Sequence, residues 1–330
     1  MWAVPWLLLL LVTPQDSPFG SGKKQEKEEK GRPEPVAISE EELAKATEDL
    51  GAEEAATRKA AFEKLYASHN EVKGRSRLKS LQSEWTSKLK EARKAALENA
   101  KPEGGDIASL RSQAQSLLSK GDTKAMRPIV EQMFRKVYPD LAKADADPAY
   151  RTAVDRLRDI DSMLDRSGDK SKRDIDEIIS KATLDVDEDP IIAAMPGEAA
   201  GVASGNRGAK GGLDPEEYKL VLLTNMYRAV MGKSGLRINP GLCRAAKGHS
   251  KDMKEKGFFS HDSPVPGKRH FTDRARQAGA SAHAENIAQA RGGEEAFWMW
   301  FLSLGHHKNM MGPHTQIGIG RYDRFWTEMF

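Results

Sequence analysis

The chain has 330 residues, and this length predicts about two domains of roughly 150 residues each. Charged residues make up 31% of the chain against 38% for hydrophobic residues, and most of the charge lies before about residue 190. The net charge of +3 is small, and Lys and Arg alternate with Asp and Glu instead of forming blocks. This pattern excludes the concentrated basic face that nucleic-acid binding requires.

The N-terminus carries a short apolar segment. Trp6 and the run at residues 7–12 are apolar, and polar residues follow from Pro14. The run is too short to cross a bilayer but suits the apolar region of a signal peptide. We therefore expect residues 1–17 to direct the protein to an extracellular or extracytoplasmic location. The alternatives are an uncleaved N-terminal anchor or a mis-chosen start, because no Lys or Arg precedes the run and no Ala-x-Ala site follows it.

The number of cysteines narrows the class of exported protein. Cys243 is the single cysteine, so the chain forms no intrachain disulfide and no zinc site built on cysteines. An exported protein of this kind depends on packing alone. This fits a bacterial-type extracytoplasmic domain.

A long region of amphipathic helices follows a charged spacer. Residues 18–38 are rich in Gly, Lys, Glu and Pro and predict a disordered spacer. Ser39 and Glu42 form a capping-box pattern, and apolar residues then recur every three or four positions up to about residue 182. We interpret residues 39–182 as an all-helical region whose first two helices resemble a single HEAT-like pair. No further copies of that pair are found, which argues against a solenoid.

The apolar stripes of this region are thin and rich in Ala, so each helix buries a modest area. A partner or self-association would complete such a core. The functional interpretation is a stalk or adaptor that contacts another protein or the cell envelope, and the alternative is a spacer without a specific ligand. Nothing in this region indicates catalysis, and the oligomeric state is left open.

A composition change separates this region from the rest. Residues 183–212 contain an acidic run, Pro190, Pro196 and a Gly/Ala-rich stretch, and predict a flexible linker. A second domain is expected over residues 213–330. It alternates helices with a short strand at Glu285, and it ends in a predicted antiparallel hairpin over residues 316–320 and 325–330.

The histidines concentrate in this second domain. Seven of the eight lie between His249 and His314. His261 and His306 occur in short motifs, and Glu285 lies between them in the sequence. Imidazole and carboxylate groups bind divalent metals and transfer protons near neutral pH. If the protein has a reactive site, we expect it here.

The order of these motifs resembles the CAP superfamily, also called the SCP-like extracellular domain, in its compact bacterial form. The matching residues are Asn225-x-x-Arg228, Ala245-Ala246-x-x-His249-Ser250-x-Asp252-Met253, Phe259-Ser260-His261, Glu285-Asn286-Ile287-Ala288, Trp300, Gly305-His306-x-x-Asn309-Met310, Ile317-Gly318-Ile319-Gly320 and Trp326-Thr327. The resemblance covers residues 213–330. It implies an α+β fold, in which an α-β-α sandwich with three antiparallel strands follows the all-α N-terminal region.

The resemblance also implies a cleft with two histidines and two glutamates. The family motifs place the histidines at His261 and His306 and one glutamate at Glu285. The position of the second glutamate is occupied by Ser303. An activity that requires both carboxylates is therefore in doubt. The caveolin-like lipid loop of some family members is not recognisable, which argues against lipid binding.

Two functions remain open for this cleft. His261, His306 and Glu285 would suffice for a divalent cation such as zinc with one open position, where a bound water could become a nucleophile. The alternative is that the three side chains bond one another and hold loops over the sheet. We favour a secreted binding module over catalysis. The alternative function is a metal-dependent, peptidase-like hydrolase with the same three residues as its catalytic candidates.

Overall fold

A computed structural model describes residues 33–169 and 174–330. The predicted signal segment at 1–17 and most of the predicted spacer at 18–38 lie outside these residues. The described part of the spacer, from residue 33, contains neither helix nor strand. In the described part of the chain, no helix is both long and apolar enough to cross a membrane.

The chain divides into two compact units, which differ from the predicted boundaries. Of the described residues, the first unit comprises 33–89, 148–169 and 174–175, and the second comprises 90–147 and 176–330. The helical region at 39–182 is therefore shared between the two units. Its helices are present as the periodicity predicts.

The first unit is helical and has its own core. Its helices are α1 (Glu40–Asp49), α2 (Ala55–Ala67), the first part of α3 (Glu71–Asn99), and α7 (Pro148–Arg166). The predicted capping box forms, since Ser39 Oγ accepts from the Glu42 amide at 3.1 Å and Glu42 Oε2 accepts from the Ser39 amide at 2.9 Å. Leu50, Phe62, Leu65, Leu78 and Ile160 are buried together.

The second unit adds helices from before residue 213 to the C-terminal domain. They are α4 (Ala108–Ser119), α5 (Thr123–Val137), α6 (Leu141–Asp145), α8 (Ile175–Ala194), α9 (Ala199–Asn206) and a 3-10 helix at Arg207–Gly212. Met126, Val130 and Met133 of α5 are fully buried in the main core of this unit. The thin apolar stripe of α5 therefore packs against the chain's own C-terminal domain.

The predicted flexible linker at 183–212 is wrong, because most of this segment is helical. Apolar side chains between the acidic residues, such as Ile191 and Ile192, are buried in the core. The acidic residues are also paired: Arg93 donates to both carboxylate oxygens of Asp187 at 2.7 and 2.8 Å, and Lys210 donates to Glu188 at 2.9 Å. Their charge is thus offset by Arg93, which is distant in the sequence, and by Lys210 at the end of the same segment.

The C-terminal domain is an α-β-α sandwich. Its elements are α10 (Pro215–Val230), β1 (Arg237–Ile238), α11 (Pro240–Lys256), α12 (Phe271–Gln277), β2 (Glu285–Gln289), α13 (Gly293–Leu302), α14 (Leu304–Met310), β3 (Gln316–Tyr322) and β4 (Phe325–Met329). Buried side chains of α10 and α13 pack on one face of the sheet, and those of α11 and α12 pack on the other.

The sheet has the strand order β1-β3-β4-β2. The three antiparallel strands agree with the expectation from the family, and the closing hairpin agrees with the residue pattern. Thr327 lies opposite Gly320 on one side and opposite Ile287 on the other. The three-strand prediction missed β1, which pairs in parallel with β3. A strand of two residues is too short to produce a detectable alternation of apolar and polar side chains.

Two glycines of β3 explain its Ile-Gly-Ile-Gly sequence. A Cβ atom added to Gly320 would lie 2.0 Å from the Lys247 amide nitrogen, and one added to Gly318 would lie 2.3 Å from the Leu242 carbonyl carbon. Helix α11 therefore lies directly on the strand backbone. The helix is positioned by a contact that no larger residue permits.

Candidate functional site

Glu285 lies at the centre of the predicted cleft. It is the first residue of β2, an edge strand, and its side chain is fully buried. Side chains cover this edge: Asn309 Nδ2 donates to the Glu285 carbonyl at 3.3 Å, and Trp300 Nε1 donates to the Ile287 carbonyl at 3.0 Å. These bonds protect backbone groups that would otherwise pair with another strand.

His261 contacts Glu285 directly. It lies in the loop after α11. This helix is capped at its C-terminus by Gly257, which has the left-handed conformation with φ of 69°. The Nδ1 atom of His261 is 3.0 Å from Glu285 Oε1, and 51% of the His261 side chain is exposed. The predicted pairing of these two residues is therefore formed, with the imidazole at the surface and the carboxylate beneath it.

Arg274 holds the other side of the same carboxylate. Its guanidinium, on α12, is 2% exposed, and Nη2 donates to Glu285 Oε2 at 2.6 Å. The same nitrogen donates to the His261 carbonyl at 3.0 Å, and Nη1 donates to the carbonyls of Lys268 and Arg269. Arg274 thus fixes the glutamate and the loop that carries His261.

Sequence reasoning missed Arg274. The available signal was a basic residue beside Phe271 and Ala275 on the apolar stripe of a short helix. A buried arginine in such a position needs acceptors for its donors, and a carboxylate is the strongest of them.

His249 forms the buried wall of the cleft. Its Nε2 lies 3.0 Å from the Ser260 carbonyl and 4.0 Å from Glu285 Oε1. Burial lowers the pKa of His249 to about 4, although the neighbouring Glu285 opposes the shift. At neutral pH this imidazole is uncharged.

His306 lies beside His261. The two ring centroids are 6.3 Å apart, and the rings are tilted by 46°. Burial, and then the nearby His261, lowers the pKa of His306. The neighbouring His307 points away, and its Nε2 lies 2.6 Å from the Tyr227 hydroxyl in the core. The structure therefore brings His261 and Glu285 into contact and places His306 next to them.

A buried polar network supports the site from below. Asn286 Nδ2 donates to the His306 carbonyl at 3.2 Å and to Glu328 Oε2 at 2.9 Å, and its Oδ1 accepts from Asn309 Nδ2 at 2.9 Å. Thr224 donates to the other oxygen of Glu328 at 3.3 Å. Burial raises the pKa of Glu328 to about 8, against the hydrogen bonds from Asn286 and Thr224.

In this arrangement, the nitrogen and oxygen atoms of the cleft do not form a set of ligands that fits a divalent cation. One oxygen of Glu285 contacts His261 and the other accepts from the Arg274 guanidinium, so a cation at this carboxylate would face a fixed positive charge. Across the described ranges, no three His, Cys, Asp or Glu side chains are grouped so that they could hold a metal ion. The metal site inferred from the sequence stays a prediction.

The Glu285 carboxylate itself is not placed to act as a general base. A general base must reach the proton that it removes, and both oxygens of Glu285 are engaged by the protein. Ser303, at the position of the second family carboxylate, precedes α14 and accepts from the His307 amide through its carbonyl at 2.8 Å. The cleft therefore offers imidazole edges for contact with a ligand.

Comparison with known families agrees with this fold. Residues 221–324 match the model of the CAP family, described as the cysteine-rich secretory protein family. These residues form a CAP domain, also called an SCP domain. Although the family is described as cysteine-rich, this domain contains one cysteine, Cys243, which is the single cysteine of the chain.

The similar curated proteins come from Bacillus subtilis (strain 168). The uncharacterized protein YkwD is 36% identical over 118 residues, which are 34% of this chain and 46% of YkwD. The uncharacterized membrane protein YlbC is 32% identical over 118 residues, 34% of each chain. The chain thus matches less than half the length of either relative.

A solved structure also matches. It is an extracellular protein containing an SCP domain from Bacillus anthracis str. Ames, with 34% sequence identity and a TM-score of 0.33. The match covers 35% of this chain and 39% of that one.

Proposed function

We propose that residues 213–330 act as an extracytoplasmic binding module whose cleft holds a ligand without hydrolysing it. One observation carries this proposal: the Glu285 carboxylate is buried and bonded on both oxygens, to His261 at 3.0 Å and to Arg274 at 2.6 Å. A carboxylate fixed in this way shapes the cleft and is not free to activate water. The missing second carboxylate at Ser303 supports the same conclusion.

The surroundings of His261 favour a ligand with both a flat apolar face and polar groups. Phe259, two residues before His261, is 49% exposed, and its ring centroid is 6.3 Å from that of Phe325. An exposed aromatic ring stacks on a sugar or on another ring, and the two imidazoles supply directional hydrogen bonds. A glycan of the cell envelope combines these properties.

The location and the helical region are part of the same proposal. The apolar run at residues 7–12 supports export of the chain. In the first unit, Val36 and Val72 are 59% and 55% exposed, and we propose that this unit contacts a partner protein or the envelope. Neither role requires turnover.

Sedimentation with isolated bacterial cell walls tests the binding role. The full chain should sediment with the walls, and Phe259→Ala should reduce the bound fraction. Met299→Ala is the matched control, because Met299 is an exposed apolar residue of α13, at 43%. Equal binding by both variants, or no binding by the parent chain, would contradict the proposal.

A turnover assay tests the absence of catalysis. The parent chain and His306→Ala are compared on a panel of peptides and esters. We expect the same background rate for both. Activity in the parent chain that is lost in His306→Ala would contradict the binding module and support the hydrolase.

A further inference from the structure

A second concave site lies in the C-terminal domain, away from the residues of the cleft. It is a pocket of about 660 Å³ between the start of α11, the segment after α12 and the start of β3. Its walls include Arg276, His283, His314 and Gln316. None of the cleft residues His249, His261, Arg274, Glu285 or His306 lines it.

Two side chains of this pocket, Asn239 and Gln316, have their acceptor oxygens already used. Asn239 Oδ1 accepts from the amides of Gly241 and Leu242 at 2.8 and 3.1 Å, and Asn239 Nδ2 donates to Gln316 Oε1 at 2.7 Å. The amide nitrogen of Gln316 is a donor on the same side chain. A ligand that accepts hydrogen bonds suits this wall.

The charge of the pocket favours the same ligand. No lining side chain is that of an Asp or a Glu, whereas Arg276 contributes a guanidinium. The terminal carboxyl of Phe330 also lies in the wall, but it already accepts from the amides of His283 at 2.6 Å and Ala284 at 3.4 Å. Arg276 is 75% exposed and its one ion pair, with Asp273 at 3.2 Å, lies at the surface, where screening makes such pairs weak. Behind the wall, the buried Arg228 adds a second positive charge.

The pocket is also held in shape. Arg228 Nη1 donates to the carbonyls of Met310 and Gly312 at 2.8 and 3.0 Å, and Nη2 donates to that of His314 at 3.4 Å. The His314 ring stacks on the Phe330 ring, with centroids 5.0 Å apart and an interplanar angle of 23°. A preorganised wall lowers the entropy cost of binding.

We propose that this pocket binds a small oxyanion, the phosphate or carboxylate group of an organic molecule. Arg276 provides the charge-assisted bonds, and the imidazoles and Gln316 provide further hydrogen-bond donors. The stacked rings of His314 and Phe330 form an apolar surface for the remainder of the ligand. This site and its test are independent of the ligand of the cleft.

Isothermal titration of the full chain with inorganic phosphate, and in parallel with acetate, tests the proposal at constant ionic strength. Saturable binding of one ion per chain is expected, and the ion that binds more tightly identifies the source of the oxyanion. Loss of the charge-assisted bond in Arg276→Gln should weaken binding at least about tenfold. Arg269→Gln is the matched control, since Arg269 is 72% exposed and pairs with Asp262 at 3.3 Å.

A second readout uses the unaltered chain, so it does not depend on how the variants fold. Imidazole NMR signals of His314 should shift with added phosphate, while those of the exposed His270, which does not line the pocket, should not. Equal shifts at both histidines, equal weakening by both arginine variants, or binding of neither ion would overturn the proposal.

Discussion

The helices before residue 213 show two ways of burying similar amphipathic surfaces. Those of the first unit pack on one another around Leu65 and Ile160. Those of the second unit, such as α5, pack against the CAP domain, where Tyr138 donates to the Met226 carbonyl at 3.0 Å and Thr123 to the Leu302 carbonyl at 2.7 Å. The periodicity is alike in both, so it predicts a helix but not the partner of that helix.

The two units also differ in how far their ion-paired side chains are exposed to solvent. In the first unit, Lys64 and Glu42 form an ion pair whose side chains are 41% and 50% exposed. In the second unit, Arg93 and Asp187 are 1% and 9% exposed. A charge at a similar position along an amphipathic helix is therefore a surface feature in one unit and part of the core in the other.

The largest expected difference between the units comes from adding one methyl group. In Gly320→Ala, the new Cβ atom would meet the Lys247 backbone at 2.0 Å, so strand and helix must separate. In Gly74→Ala, of the first unit, it would meet only the side-chain tips of Leu65 and Leu50 at 3.1 and 3.2 Å. We expect a loss of more than about 3 kcal/mol in the first case and a change within about 1 kcal/mol in the second. Urea unfolding measures both, and similar losses would contradict the close approach of α11 to β3.

Removing the basic side chain of one ion pair in each unit distinguishes the buried pair from the exposed pair. Arg93→Met leaves Asp187 buried without its bidentate partner, which should lower the unfolding free energy by about 3–5 kcal/mol. Lys64→Met removes an exposed pair and should cost less than about 1 kcal/mol. Chemical denaturation of the two variants provides the comparison. A small effect of Arg93→Met would show that the segment at 183–212 is not anchored by this pair.

Shortening one core side chain in each unit tests whether α5 shares its core with the CAP domain and whether α1 and α2 have a separate core. Met133→Ala should cost about 2–4 kcal/mol and reduce hydrogen-exchange protection of the Trp300 indole, which bonds the Ile287 carbonyl within the CAP domain. Leu65→Ala should cost a similar amount but act on exchange in α1 and α2. Loss of protection at Trp300 in neither variant would contradict the shared core of α5 and the CAP domain.

The pH dependence of stability should be the smallest effect. The pKa of Glu328 rises from the ordinary 4.5 to about 8, so its contribution is full below pH 4.5 and is lost as the pH rises through 8. The pKa of His249 falls from 6.5 to about 4, so its contribution is full above pH 6.5 and is lost as the pH falls through 4. Between pH 6.5 and 8, we therefore expect Glu328 to lower stability by up to about 1.4 kcal/mol per pH unit.

Glu328→Gln provides the control for that slope, because it keeps the shape of the side chain and removes the titration. The difference in unfolding free energy between the parent chain and Glu328→Gln should change across pH 6.5–8. A constant difference over this range would show that Glu328 does not change protonation there.

The sequence predicted elements better than contacts. Apolar residues at helical spacing predicted the helices, and the family motifs predicted that His261 and Glu285 meet. The linker prediction at 183–212 failed because acidic and small residues look solvated unless their partners are known. One of these partners, Arg93, is distant in the sequence, and another, Lys210, lies at the end of the same segment. Arg274 was missed for a similar reason, since only the fold shows that its guanidinium reaches Glu285.

Zinc titration of the full chain tests the central claim, that Arg274 and His261 already occupy the Glu285 carboxylate. Isothermal calorimetry should show no binding at micromolar zinc that depends on the cleft, so the parent chain and His261→Ala should behave alike. Uptake of one zinc ion per chain at micromolar concentration, lost in both His261→Ala and Glu285→Gln, would contradict the claim and restore the metal site.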